Sequence, residues 1–422
     1  MGITHLHNGK KHHYTGRSKP GALPRNAPGI SHVSTENTVV KPQSLDMITQ
    51  LIGFDTVSRN SNLELIHYVR DYLAGHGVES HLVINEEQTK ANLFATVGPN
   101  VEGGVVLSGH TDVVPVDGQP WDTDPFTIVQ KDGRLYGRGT CDMKAFSAIA
   151  LAMVPDMLKK GLKRPIHFAL SYDEEIGCFG APSMIDRLVT DIAKPSAVIV
   201  GEPTSMRPIV AHKGIAALRT TVTGYEAHSS QVHRGVSAVM TAARLITFID
   251  DMMAENKANA DPECRFVPPY TTLHVGVVHG GTALNIISRE CTFTWDIRML
   301  PGDNWRSYLD RFQAYVDTLL PAMQAIAPGA SIRTEILADA PPLQDQGGAA
   351  QELVFDLCGH QGTGVVPYAA EAGQFQERGF SVVLCGPGSI DQAHQPNEYI
   401  DISQVAACEE FLDKLTDQLA SS

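Results

Sequence analysis

Apolar positions along the chain follow two regimes. From Gln43 to about His212, short β-branched runs alternate with stretches whose apolar residues recur at helical spacing. Leu45–Phe54 and Leu63–Ala74 read as amphipathic helices, and Lys144–Lys160 as a longer helix closed by Gly161. Gly103–Gly109, Pro165–Tyr172, Ser196–Gly201 and, much later, Phe380–Cys385 read as buried strands. Strand and helix in alternation predict an α/β fold, a mostly parallel sheet flanked by helices on both faces.

Around Lys213 the order changes. Ile215–Val222 reads as a strand, Gly235–Asn256 as a long helix, Leu273–Val278 and Cys291–Ile297 as two strands, Asn304–Ala325 as a helix and Ser331–Ile336 as a last strand. That β-α-β-β-α-β order predicts a small ferredoxin-like α+β domain. Ala338–Gln346 (ADAPPLQDQ) reads as the linker back. The expected organisation is a catalytic domain of residues 43–212 and 339–422, interrupted by an inserted domain at 213–338. Residues 1–42, rich in His, Lys, Gly and Pro and almost without acids, read as a disordered tail with no apolar core for a secretory signal.

Composition narrows the function classes. A chain of 422 residues with 43% hydrophobic positions can bury more than one core. A net charge of −14 opposes binding to nucleic acid or an anionic membrane, and no apolar run is long enough to span a bilayer. Seven scattered cysteines without CxxC pairs argue against a disulfide scaffold and fit a reducing, cytoplasmic setting.

Four predicted strands run into polar residues that can ligate a cation. They lead to His110 in SGHTD, to Glu174–Glu175, to Glu202 in GEP, and through Gly386-Pro387-Gly388 to His394; Asp142 opens the helix after Gly137-Arg138-Gly139. In open α/β sheets the site lies beyond the carboxyl ends of the strands, so these groups should converge. Singly each has an ordinary explanation: a core histidine, a helix N-cap at Asp142, a solvated acidic turn at Glu174–Glu175. Together, so many acids and imidazoles would repel without a cation between them. Two histidines with several carboxylates suit zinc or a similar ion, with cobalt as the alternative, whereas calcium takes oxygen ligands only. His110, Asp142, Glu175, Glu202 and His394 suffice for two divalent ions that share one carboxylate. Glu174 is left over as a general base that passes a proton to the leaving nitrogen. Asp112 is close enough in sequence to hold the other ring nitrogen of His110.

At these residues the chain resembles the M20 metallopeptidase family, and within it the amino-acid deacetylases. The matching blocks are SGHTDVVP (residues 108–115), GRGTCDMK (137–144), DEEIG (173–177), GEPT (201–204), AHKG (211–214), AHSS (227–230), GGTALNIIS (280–288), EAGQF (371–375) and GPGSIDQAHQPNEYI (386–400). The one departure is Lys144-Ala145-Phe146, where glycine often follows the lysine. The resemblance implies that His110, Asp142 and Glu202 hold one metal and that Asp142, Glu175 and His394 hold the other, with Asp142 bridging. It implies Glu174 as general base and acid, Asp112 as the partner of His110, and the inserted domain as lid and homodimerisation module. His228 would then stabilise the oxyanion, in the site of a neighbouring subunit.

For the substrate, an N-acyl amino acid, Arg298 at the end of a predicted strand is placed to pair with an α-carboxylate; an ordinary ion pair is the alternative. Asn285 can donate a hydrogen bond or simply make a turn. Glu371 is expected to recognise a side-chain ammonium, with an exposed loop as the alternative. Rival readings are a desuccinylase, an aminoacylase or a dipeptidase on the same scaffold. A two-metal phosphoesterase lacks a P-loop or basic cluster here, and a noncatalytic homologue would lack Glu174.

Overall fold

The computed structural model describes residues 40–359 and 362–421, so most of the expected tail lies outside the described residues. Strands are β1 (Ser80–Ile84), β2 (Ala91–Val97), β3 (Val105–His110), β4 (Val129–Lys131), β5 (Arg134–Tyr136), β6 (Ile166–Ser171), β7 (Ala197–Val200), β8 (Ile209–His212), β9 (Gly214–Thr223), β10 (Thr272–Gly280), β11 (Glu290–Met299), β12 (Ser331–Ala340), β13 (Gly364–Val366), β14 (Val382–Leu384) and β15 (Tyr399–Asp401). Helices are α1 (Pro42–Ile52), α2 (Leu63–Gly75), α3 (Lys144–Ala152), α4 (Val154–Lys160), α5 (Ala181–Asp191), α6 (Ala238–Ala258), α7 (Trp305–Ile326), α8 (Ala349–Cys358), α9 (Ala372–Glu377) and α10 (Ile402–Ser421).

The large sheet has the order β1-β2-β6-β3-β7-β14-β8-β13. Its centre is parallel, with β3 pairing to β6 and β7, and β7 to β14. The sequence pattern misses the antiparallel additions: β1 and β2 extend one side, and β8 joins β14 antiparallel. Side-chain alternation explains why both faces are covered. Val105 and Leu107 of β3 enter one apolar cluster with α1 to α4, α8 and α10, while Val106 enters the opposite one with α5 and Phe375 of α9.

The single helix expected over Lys144–Lys160 is two helices, α3 and α4, divided at Met153. Pro155 has no N–H to return to the carbonyl of Leu151, and the Tyr72 hydroxyl donates to that carbonyl instead, at 3.1 Å. Gly161 does end α4, in the left-handed region at φ 69°.

The four-stranded sheet, antiparallel in the order β10-β11-β9-β12, carries α6 and α7. Alternate residues of β11 (Cys291, Phe293, Trp295, Ile297 and Met299) are buried in an apolar cluster of their own with Leu245 and Ile249 of α6 and Phe312 and Val316 of α7. Ser237 and Asn304 cap these helices through their side chains. Ala338–Ala340, expected in the linker, ends β12.

A third sheet, β15-β5-β4, is small but bears on the site. Tyr399 pairs with Tyr136 and Asp401 with Arg134, which draws the chain after His394 alongside the chain before Asp142. Among the described residues no helix is long and apolar enough to cross a membrane, and no disulfide joins the seven cysteines.

Candidate metal centre and active site

The carboxyl ends of β3, β6, β7 and β14 lead to one place. His110 ends β3, Glu174 and Glu175 follow β6, Glu202 follows β7, and His394 lies in the loop beyond β14. The two loops bearing Glu202 and His394 touch so closely that a Cβ on Gly386 would lie 2.1 Å from the carbonyl oxygen of Gly201. Glycine is therefore required for that approach.

Asp142 sits at the middle. Its Oδ1 faces His110 Nε2 at 3.0 Å, and its Oδ2 faces His394 Nε2 at 3.3 Å. His394 Nε2 also lies 3.0 Å from Glu175 Oε2. One ligand atom from each of His110, Asp142 and Glu175 falls within 4.8 Å of the others. His110, Asp142 and Glu202 are buried, and His394 is half exposed.

Two observations test whether these residues fit a cation. Among the described residues, Glu175 Oε1 and Glu202 Oε1 are buried with no hydrogen-bond partner, a costly state for carboxylate oxygens. The titration balance also points to missing positive charge. Burial and neighbouring acids push Glu174 up to about 8 and Glu175 up to about 7, and burial raises Glu202 well above the ordinary range. Burial would raise Asp142 too, but hydrogen bonds with both imidazoles hold it low. Hydrogen bonds to Asp142 and Glu175 raise His394 to about 10; His110 is raised despite its burial, through Asp142 and the charge of Glu174. A divalent ion among these groups would supply the positive charge that favours the carboxylates and relieves their mutual repulsion. The donors fit such ions.

Glu174 stands beside this cluster, with Cys178 Sγ 3.4 Å from its Oε1. Asp112 partners the other ring nitrogen of His110, as expected, but chiefly through its main chain. The Nδ1 of His110 is 2.9 Å from the backbone carbonyl of Asp112, whereas the carboxylate is at 3.6 Å. That carboxylate instead accepts from the backbone N–H groups of Glu174 (3.1 Å) and Glu175 (3.3 Å) and from Ser58 Oγ (2.7 Å). It fixes the acidic turn, and the backbone orients the imidazole.

A cavity of about 520 Å³ opens over the cluster. Asp142, Glu174, Glu175, Glu202 and His394 form its floor, with Tyr368 and Cys178 at the side and Arg298 and Ala217 of the four-stranded sheet opposite. Arg298 is partly exposed, with Asp296 Oδ1 3.8 Å from its Nε. His228 and Asn285 do not line this cavity. They neighbour one another on the exposed end of the four-stranded sheet, where the Ser229 N–H donates to the Asn285 carbonyl and His228 Nδ1 meets Ser230 Oγ at 2.8 Å.

Glu371 fits neither alternative raised for it. It is not in an exposed loop and does not line the cavity; it is 1% exposed, just before α9. Ser108 Oγ donates to its Oε1 at 2.5 Å and Ser171 Oγ to its Oε2 at 2.6 Å. Both oxygens are taken by serines of β3 and β6, the strands that deliver His110 and the acidic turn. At 1% exposure and outside the cavity lining, this carboxylate is out of reach of an ammonium in the cavity.

Three side chains behind the site escaped the sequence reading. Arg138 and Glu398 form a buried ion pair at 2.6 Å, and Lys144 donates to the carbonyl of Phe54 at 2.9 Å. The signal for Glu398 was its place just after His394, and for Arg138 a charge enclosed by two glycines.

The class follows from comparison with known proteins: the chain belongs to peptidase family M20/M25/M40, which it matches over residues 106–418, and it is a hydrolase acting on amide bonds. Among curated relatives it is 34% identical to an acetylornithine deacetylase of Pasteurella multocida, across 90% of this chain and 99% of that protein. It is 33% identical to an acetylornithine deacetylase of Proteus mirabilis, across 89% and 96%. Among solved structures, an M20 family metallo-carboxypeptidase from Sulfolobus solfataricus superposes with a TM-score of 0.71 at 17% identity, covering 90% of this chain and all of that one. A di-peptidase from Saccharomyces cerevisiae gives 0.68 at 19%, covering 90% and 96%. These two likenesses concern the fold.

Proposed function

We propose that this deacylase removes the acetyl group from N2-acetyl-L-ornithine, giving L-ornithine and acetate, as a cytoplasmic step of arginine biosynthesis. The reading rests on two curated relatives of that name over nearly the whole chain. The observation that carries the chemistry is Asp142, whose two oxygens face two different imidazoles beside two unpartnered carboxylate oxygens.

In this reading His110, Asp142 and Glu202 hold one divalent ion and Asp142, Glu175 and His394 a second, zinc or in its place cobalt. Bound there, the ions supply Lewis acidity to the amide carbonyl and to the attacking water. The chain's own groups do the rest. Arg298 pairs with the α-carboxylate and fixes the amide over the floor of the cavity. Glu174 takes the proton of the attacking water and returns it to the leaving nitrogen. Asp112 holds the turn on which Glu174 stands. Residues 213–338 act as lid and dimerisation module, and in a homodimer His228, with Asn285 beside it, reaches the site of the other subunit to donate to the oxyanion. Their exposure and distance from their own cavity support that arrangement.

Turnover of metal-analysed protein on acetylornithine, succinyl-diaminopimelate, acetylmethionine and a dipeptide tests the substrate. The reading requires the highest kcat/KM on acetylornithine. A higher value on the succinyl compound or the dipeptide would replace it with the corresponding desuccinylase or dipeptidase.

A further inference from the structure

The loops bearing Asp142 and His394 come from distant parts of the sequence, and one buried carboxylate ties them. Glu398 Oε1 accepts three backbone N–H groups, those of Gly139 (3.1 Å), Cys141 (2.8 Å) and Asp142 (3.1 Å). Its Oε2 takes Arg138 Nη1 at 2.6 Å, and its backbone carbonyl takes the N–H of Gly137 at 3.0 Å. Arg138 reaches back across the same junction. Its Nη1 donates to the carbonyl of Gln395 at 3.3 Å and its Nη2 to Gln119 Oε1 at 2.6 Å, while Gln119 Nε2 donates to the carbonyl of His394 itself at 3.0 Å.

Burying a guanidinium and a carboxylate, 1% and 0% exposed, costs several kcal/mol of hydration per ion in the general case. Arg138 Nε moreover has no partner among the described residues. An apolar pair of similar volume would fill such a space without this penalty. What an apolar pair could not do is accept the convergent N–H groups, for which a carboxylate oxygen is a strong acceptor. The N–H of Asp142 is one of those held, so the carboxylate fixes the main chain of the residue that faces both imidazoles. The other end of the network holds the main chain of His394.

We propose that Glu398, Arg138 and Gln119 form a positioning group that sets the separation of Asp142 and His394, and so the affinity of the ion those residues share with Glu175. The inference rests on the dinuclear reading above. None of the three residues touches substrate in this assignment; they act through Asp142 and His394.

The test is calorimetric titration of metal-free protein with zinc, alongside the unfolding temperature and kcat and KM on acetylornithine. Wild type should bind two ions; if it binds fewer than two, the dinuclear reading fails first. Given two, Glu398→Gln should weaken the ion shared by Asp142, Glu175 and His394 roughly 10- to 100-fold, and the other ion, which keeps His110 and Glu202 but also uses Asp142, by a clearly smaller factor. It should also lower kcat more than KM at saturating zinc, since Arg298 is untouched. Gln119→Ala, which removes no buried charge, should weaken the same ion by a smaller factor and lower the unfolding temperature less than Glu398→Gln does. Two ions bound with wild-type affinity in both variants would overturn the proposal. So would equal weakening of both ions in step with a lowered unfolding temperature, which would make the group merely structural.

Discussion

The floor of the cavity and the face that looks down on it are built on opposite plans. On the floor, His110, Asp142 and Glu202 are buried; strand pairing holds the main chain of His110, Glu398 that of Asp142, and Asp112 that of Glu174 and Glu175. On the opposite face Arg298 is partly exposed with a loose contact to Asp296, and His228 and Asn285 stand in solvent on an edge that does not line the cavity. A ligand set for cations must be fixed before the ion arrives, because carboxylates free to turn away would lose both affinity and geometry. Groups that read a substrate can be brought up by closure of a lid. Substitutions on the floor should therefore strike chemistry or metal content, and those on the opposite face should strike recognition.

The largest effect is expected at Glu174. Glu174→Ala should lower kcat by two to four orders of magnitude, the usual range for losing a general acid–base group, and leave both ions bound. Metal analysis beside steady-state kinetics checks it; loss of an ion would move Glu174 into the ligand set. Arg298→Ala belongs to the other face. It should lower kcat/KM about 10- to 100-fold for every N-acyl α-amino acid alike, matching about 1.5–3 kcal/mol for a charged hydrogen bond. Metal content should not change, and a loss confined to one substrate would break the assignment to the shared carboxylate.

Glu371 sharpens the comparison because it moves from one side to the other. Read as a reader of substrate ammonium, its removal would penalise acetylornithine and spare acetylmethionine. Held by Ser108 and Ser171, it belongs with the supports of the floor. Glu371→Gln should lower kcat/KM for both substrates by a similar factor, on the order of tenfold. A penalty on acetylornithine alone would restore the first reading.

What the sequence disclosed and what it hid follow the same division. Strand ends followed by Gly-rich ligand segments are local patterns, so the convergence of His110, Asp142, Glu174, Glu175, Glu202 and His394 could be expected from the α/β alternation. The fold was legible for a like reason: β11 alternates cleanly, and β3 is short and β-branched. The β1–β2 pair was not, because β1 is only five partly exposed residues of mixed polarity and its antiparallel pairing with β2 is made by contacts across the chain. The break between α3 and α4 was marked by Pro155 but masked by apolar residues on both sides. Contacts made across the chain stayed hidden. Nothing near Asp112 says that its carboxylate faces the N–H groups of Glu174 and Glu175 rather than an imidazole two residues away. Nothing near Glu371 distinguishes a buried support from a reader of charge until β3 and β6 bring two serines to it.

In the proposed dinuclear centre Asp142 joins two ions. Its most direct test is titration of metal-free wild type and Asp142→Ala with zinc, reading stoichiometry by calorimetry. Wild type should take up two ions per chain. Asp142→Ala should impair the binding of both, whereas Glu202→Ala, which serves one ion, should leave the second in place. Two tight sites surviving in Asp142→Ala would contradict the account.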